Sequence, residues 1–170
     1  MRGGWAVVAG FASALLTLGL AEGQGPPAPL LTPPVVRAEL VGGTLTLDRG
    51  GSGTFRIAVE VPARHHGYLD QGDSGWLIPL TFSFSALEER GVKVSLVSRP
   101  AGIREERWRA TVLRERGEFM FRMQGTGARL PAGTVVPASL RYQICDEVAN
   151  FCYPPRAVEI PLRFRGGGSR

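Results

Sequence analysis

Cys145 and Cys152 are the only cysteines among the 170 residues, so each can pair only with the other or with a second protein. Two chemistries suit them. As a staple, a bridge closing a loop of about eight residues contributes about 2.5 kcal/mol in the chain-entropy description. As an exchange site, the bridge takes an incoming thiolate in line with the sulfur–sulfur bond and opens into a mixed disulfide. Leu140, Tyr142 and Ile144 alternate as the inward residues of a strand leading into Cys145, and Pro154-Pro155 follow closely on Cys152. Proline lacks the backbone N–H and is confined to sheet edges or loops, which places the pair at an open edge within reach of a partner. Spacing alone leaves exchange and staple both open. The flanking charges are mixed: Asp146 and Glu147 oppose thiolate formation at Cys145, whereas Arg141 and Arg156 favour it. If the acidic pair dominates, the thiols are sluggish until a docked partner changes their surroundings.

Other reactive side chains form weaker constellations. His65 and His66 are the only histidines; neighbours in an extended segment face opposite ways and make a poor joint metal site, so they read as a solvated loop. Ser74, His66 and Asp70 have the residue types of a hydrolytic triad without a fixed geometry, and Gln71-Gly-Asp-Ser-Gly reads better as a turn. A soft Cu(I) site could use Cys145, Cys152 and Met120 or Met123. The expected reading has neither a metal nor an organic cofactor.

The elements that position the cysteines are strands. Arg2 and the charge-free apolar run Trp5–Leu20 read as a secretory signal peptide over residues 1–21, with Gly19 and Ala21 small at the cleavage site. An uncleaved anchor is the alternative, although the run is short of the roughly 20 residues of a spanning helix; such an anchor would be the one membrane contact. Either way the remainder lies outside the cytoplasm. Residues 22–36 are a Pro-rich, extended linker, 37–165 a single domain, and 166–170 a flexible tail. From about residue 37 the apolar period is two, as in Phe55/Ile57/Val59/Val61, Leu80/Phe82/Phe84, Val92/Val94/Leu96, Trp108/Ala110/Val112, Phe119/Phe121/Met123, Leu140/Tyr142/Ile144 and Val158/Ile160/Leu162/Phe164, with a weaker run at Leu45/Leu47. Gly-rich turns separate the runs, and Ala86–Arg90 has room for one helical turn. The pattern predicts an all-β, immunoglobulin-like antiparallel β-sandwich of seven to nine strands, with a closed barrel as the alternative. The formal net charge of +5 is carried mostly by arginines alternating with apolar residues, which puts them on solvated strand faces and argues against nucleic-acid binding.

Tyr142-Gln143-Ile144-Cys145 followed by Phe151-Cys152-Tyr153-Pro154-Pro155 resembles the signature of the N-terminal, periplasmic domain of the thiol:disulfide interchange protein DsbD. The similarity extends weakly through Val61 to Pro79 and Pro100 to Trp108. It implies an immunoglobulin-like sandwich in the periplasm that takes electrons from a thioredoxin-like or membrane thiol-disulfide oxidoreductase. It implies delivery to an exported disulfide isomerase or other thiol protein, with a link to cytochrome c biogenesis. It assigns Cys152 as the residue that forms the mixed disulfide and Cys145 as the one that resolves it. Around them it implies a cap or partner-contact set of Trp108, Arg107, Tyr142, Gln143, Phe151, Tyr153, Pro154 and Pro155, with Arg104–Arg107 as a flap; for Trp108 a plain core position at the head of its strand is the competing reading. Six residues, Asp146 to Phe151, lie between the cysteines, a longer interval than the family pattern. The resemblance stops short of the family's membrane and thioredoxin-like domains, so a free-standing module with a separate reductant is expected.

Overall fold

Along Arg116–Gly125 every second residue is buried, and Val135–Tyr142 repeats the pattern. That period puts one face of each strand in a core and the other in water. The computed structural model describes residues 33–48, 51–125 and 130–165. The expected leader (1–21) and tail (166–170) lie outside the described residues, as does the linker up to residue 32. The strands are β1 Arg37–Leu40, β2 Ser52–Glu60, β3 His65–Tyr68, β4 Thr81–Ser83, β5 Val92–Ser98, β6 Ile103–Glu105, β7 Ala110–Leu113, β8 Arg116–Gly125, β9 Val135–Tyr142, β10 Ile144–Asp146, β11 Phe151–Cys152 and β12 Arg156–Arg163, with one helical turn, α1, at Ser85–Glu88.

Three ladders result, in the orders β1-β2-β8-β5, β12-β9-β4 and β11-β10-β3-β7-β6, and every named pairing is antiparallel. The first two face each other. Phe82 and Phe84, on and just after β4, meet Phe119 and Phe121 of β8 at ring separations of 4.9–5.0 Å, and Phe55 of β2 stacks on Phe121 at 5.3 Å. With Ile57, Val136, Leu140, Ile160 and Leu162 they form one continuous buried core. Each such side chain contributes about 1.5–3 kcal/mol by leaving water. The third ladder grows from one end of this sandwich: β9 runs into β10 past Gln143, and β7 into β8 past Arg114 and Glu115. It carries a second, smaller core of Tyr68, Leu77, Ala110, Val112 and Cys145.

The fold is an all-β, antiparallel sandwich. The ladders are joined by single bridges, Leu45 to Phe164 and Tyr68 to Pro79, and do not close into a barrel. Twelve strands rather than seven to nine are present among the described residues. The excess comes from β3, β6, β10 and β11, two to four residues long, in which no apolar period can develop. Leu45/Leu47 supplies only a bridge, and the strand expected from Trp108 begins two residues later, at Ala110.

Candidate functional site

The cysteines are brought together by a hairpin that Asp146 organises. Its Oδ1 accepts the backbone N–H groups of Ala149 and Val148, both at 2.8 Å, and its carbonyl accepts that of Asn150 at 2.9 Å. These N–H groups, Ala149 before Val148, hold the Asp146 carboxyl below the usual carboxylate range. Asn150 closes the turn at φ 57°, a left-handed conformation that asparagine tolerates. Cys145 on β10 thereby faces Cys152 on β11, with Cα atoms 3.9 Å apart and the sulfurs bonded at 2.00 Å. Of the six intervening residues, Asp146 and Phe151 pair with each other and 147–150 form the turn. β11 ends its ladder. Cys145 is buried at 3% exposure, and Cys152 is half-buried.

A cleft of about 390 Å³ opens on the bridge. Cys145, Cys152, His66 and Tyr68 contribute to its lining, together with Glu105, Arg107 and Trp108 from the β6–β7 hairpin and Glu147, Asn150 and Phe151 from the β10–β11 hairpin. Trp108 is half-buried and packs against the small core with Cys152. Trp76 meets it edge-on at 5.3 Å, and the Arg107 guanidinium lies 4.9 Å from its ring. Arg107 also donates to Asn150 Oδ1 at 2.9 Å, tying the two hairpins across the cleft. The turn beneath needs Gly72: its φ is 54°, and a Cβ there would stand 2.5 Å from the Trp108 carbonyl oxygen.

Charge and polarity are arranged in depth. Arg114 pairs with Glu147 and, at 3.6 Å, with Glu105. Glu147 in turn stands 3.3 Å from His66 Nδ1. Burial lowers the His66 pKa, against the opposing pull of Glu147. The Tyr68 hydroxyl, 3.7 Å from Cys145 Sγ, can donate to that sulfur; burial raises its pKa, so it keeps its proton.

Of the cysteines and the cap or partner-contact set that the resemblance implies, Cys145, Cys152, Trp108, Arg107 and Phe151 converge on the cleft. The others do not line it. Tyr142 is 2% exposed in the main core, because its parity on β9 turns it inward. Tyr153 is buried beneath Phe151 at a ring separation of 4.7 Å, and Gln143 donates to its carbonyl at 3.1 Å. Pro154 and Pro155 are exposed between β11 and β12. Arg104 lies on β6 and Arg107 on the turn after it, so the expected flap is a hairpin tip. Trp108 sits in that turn rather than in a core strand.

Further corrections concern charge and histidine. The cations lining the cleft are Arg107 and Arg114 rather than Arg141, which is exposed on β9, or Arg156, which donates to the Pro33 carbonyl at 3.3 Å. His65 and His66 are not in a solvated loop: they lie on β3, and His66 is 8% exposed. The triad does not assemble, since Ser74 donates to the Gln71 carbonyl and Asp70 accepts from Gly72 and Thr111. Met123 belongs to the main core and Met120 to the other face of β8, away from the sulfurs. Sequence reasoning missed Tyr68, Arg114 and Trp76, and placed Glu105 only within the expected flap. Trp76 had a signal, an apolar aromatic in a polar turn; the others needed the pairing of β3, β7 and β10.

No protein-family model matches the chain, and no curated protein matches its sequence significantly. Solved structures do. The chain is similar to the N-terminal domains of DsbD and ScsB. The DsbD N-terminal domain of Neisseria meningitidis, in its reduced form, is 17% identical with a TM-score of 0.42, over 72% of this chain and 83% of that one. The N-terminal periplasmic domain of ScsB from Proteus mirabilis is 11% identical with a TM-score of 0.47, over 75% of this chain. The chain spans 45% of that ScsB structure. No helix among the described residues is long and apolar enough to cross a membrane.

Proposed function

We propose that this domain exchanges disulfides with partner proteins through Cys145 and Cys152. The observation that carries the reading is the bridge itself: it joins the outer strand of its ladder to an inner one, and the half-buried Cys152 lies at a cleft large enough for another protein's side chains. A staple would serve as well deep in the main core, where no thiolate arrives. In the proposed exchange Cys152 is attacked or attacks, and Cys145 leaves or resolves. Trp108 and Arg107 form the cap, and Phe151 meets the partner. The sequence resemblance of the cysteine motif supports the wider assignment, in which residues 1–21 export the domain to the periplasm. There it receives electrons from a thioredoxin-like or membrane thiol-disulfide oxidoreductase and delivers them to an exported isomerase or thiol protein.

The test is a redox titration of the purified chain in thiol buffers, read by the mass added on alkylation. A midpoint above about −300 mV, within reach of biological thiols, is expected; structural bridges lie below it. A bond that stays closed to well below that potential refutes the exchange reading and leaves a staple.

A further inference from the structure

We propose that His66 is the proton acceptor for Cys145 in the step that closes the disulfide and releases the partner. The proposal rests on the exchange reading above. His66 and Cys145 are direct partners in the β3–β10 antiparallel register, so their side chains share one face with Cβ atoms about 4.5–5.5 Å apart, and both line the cleft. His66 is 8% exposed, yet its Nε2 has no hydrogen-bond partner among the described residues. Buried polar atoms are nearly always satisfied in folded proteins, so an orphan in a cleft points to a use. Glu147 Oε1, 3.3 Å from Nδ1, favours the ring proton on that nitrogen and leaves the Nε2 lone pair free.

The surroundings suit a base. Glu147 faces His66 from the β10–β11 turn, Arg114 from the end of β7 and Glu105 from β6, while Tyr68 of β3 meets its ring edge-on at 5.2 Å. His65 turns the other way, 3.6 Å from Asp146. Burial holds the imidazole neutral near pH 7, ready to accept. In the forward reaction the Cys152 thiolate attacks a partner disulfide, forming a mixed disulfide and freeing one partner thiolate. His66 then takes the proton from the Cys145 thiol, and the Cys145 thiolate attacks Cys152 Sγ. The mixed sulfur–sulfur bond breaks, and its electron pair leaves on the partner's second sulfur. The domain is oxidised and the partner reduced by two electrons; the proton passes from His66 to water or to the departing thiolate. Tyr68 remains protonated throughout and donates to Cys145 Sγ.

The reduced full chain, mixed with dithiobis(nitrobenzoate), releases one coloured thiolate when Cys152 attacks and a second when Cys145 resolves. In the parent protein the rate of the second release rises along a limb below the ordinary histidine value, then levels off. In His66→Gln the limb moves to the ionisation of the thiol, about pH 8.5 for an ordinary cysteine, and the second release at pH 7 slows by about ten-fold or more. The first release is unchanged. Glu147→Gln removes the charge that raises the His66 pKa, so the limb moves to lower pH; this variant also serves if His66→Gln fails to fold. Unaltered pH profiles of the second release in both variants overturn the role of His66 and leave exchange standing. A parent protein that releases only one equivalent overturns exchange itself, and the role with it.

Discussion

Cys145 is 3% exposed and Cys152 is half-buried, which favours Cys152 as the residue that an outside thiolate meets in the proposed exchange. The proposed roles follow from this difference. Cys145→Ala leaves the reachable thiol without its resolving neighbour, and a stable mixed disulfide with a thioredoxin-like probe should accumulate on non-reducing gels. Cys152→Ala should give little or none; equal trapping by both variants would sink the assignment. Trp108 lines the cleft with Cys152 and is braced by Trp76 and Arg107, and in the proposed exchange it caps the bridge. Trp108→Ala should therefore speed reduction of the bridge by dithiothreitol about several-fold, as expected when access to a sulfur limits exchange. An unchanged rate would show that the tryptophan does not shield it. The two sulfurs were legible in the sequence because there were no others. His66 was not, because His65-His66-Gly67 has the composition of a loop, and only its register opposite Cys145 places it in the cleft.

Hairpins rather than sheets hold the cleft in shape. The β6–β7 turn rests on the 70–76 segment, where Asp70 Oδ1 accepts the N–H groups of Thr111 at 3.0 Å and Gly72 at 3.1 Å, and Arg99 lies 3.5 Å away. Partial burial pushes the Asp70 carboxyl up, but the bonds from Thr111 and Gly72, with the charge of Arg99, outweigh it and hold the group below its usual range. A carboxylate with a lowered pKa in the folded state contributes stability above its unfolded pKa and loses it as pH falls through the folded value. Asp70→Asn should thus cost about 1 kcal/mol near pH 7 and flatten the acid limb of a denaturation series between pH 5 and about 2. A variant with the same acid slope as the parent would show that Asp70 is not the group responsible. Long strands such as β8 and β12 were readable from their alternation. The short strands β3, β6 and β11 owe their existence to neighbours that pair with them, and that information is not local to their residues.

The molecule carries two cores of unequal size, and the bridge belongs to the smaller. Phe55, Phe121, Leu140 and Ile160 anchor the sandwich, whereas Cys145 packs with Tyr68, Leu77, Ala110 and Val112 at one end. The proposed exchange would open the disulfide on every turnover, and separating the sulfurs from the main core allows that. The chain-entropy contribution of so short a loop is about 2.5 kcal/mol, within the usual margin of about 5–15 kcal/mol for a folded domain. Cys145→Ala/Cys152→Ala should accordingly remain folded, unfold in one cooperative transition and lose no more than about 2.5 kcal/mol in urea titrations. Leu140→Ala, made at a fully buried position between the facing sheets, should lose about 2–5 kcal/mol with the bridge intact. If the double cysteine variant were instead unfolded while Leu140→Ala was mild, the bridge would be holding the sandwich together. Reduction by a partner would then destroy the scaffold that presents Cys152, and the exchange reading would fail on stability grounds alone.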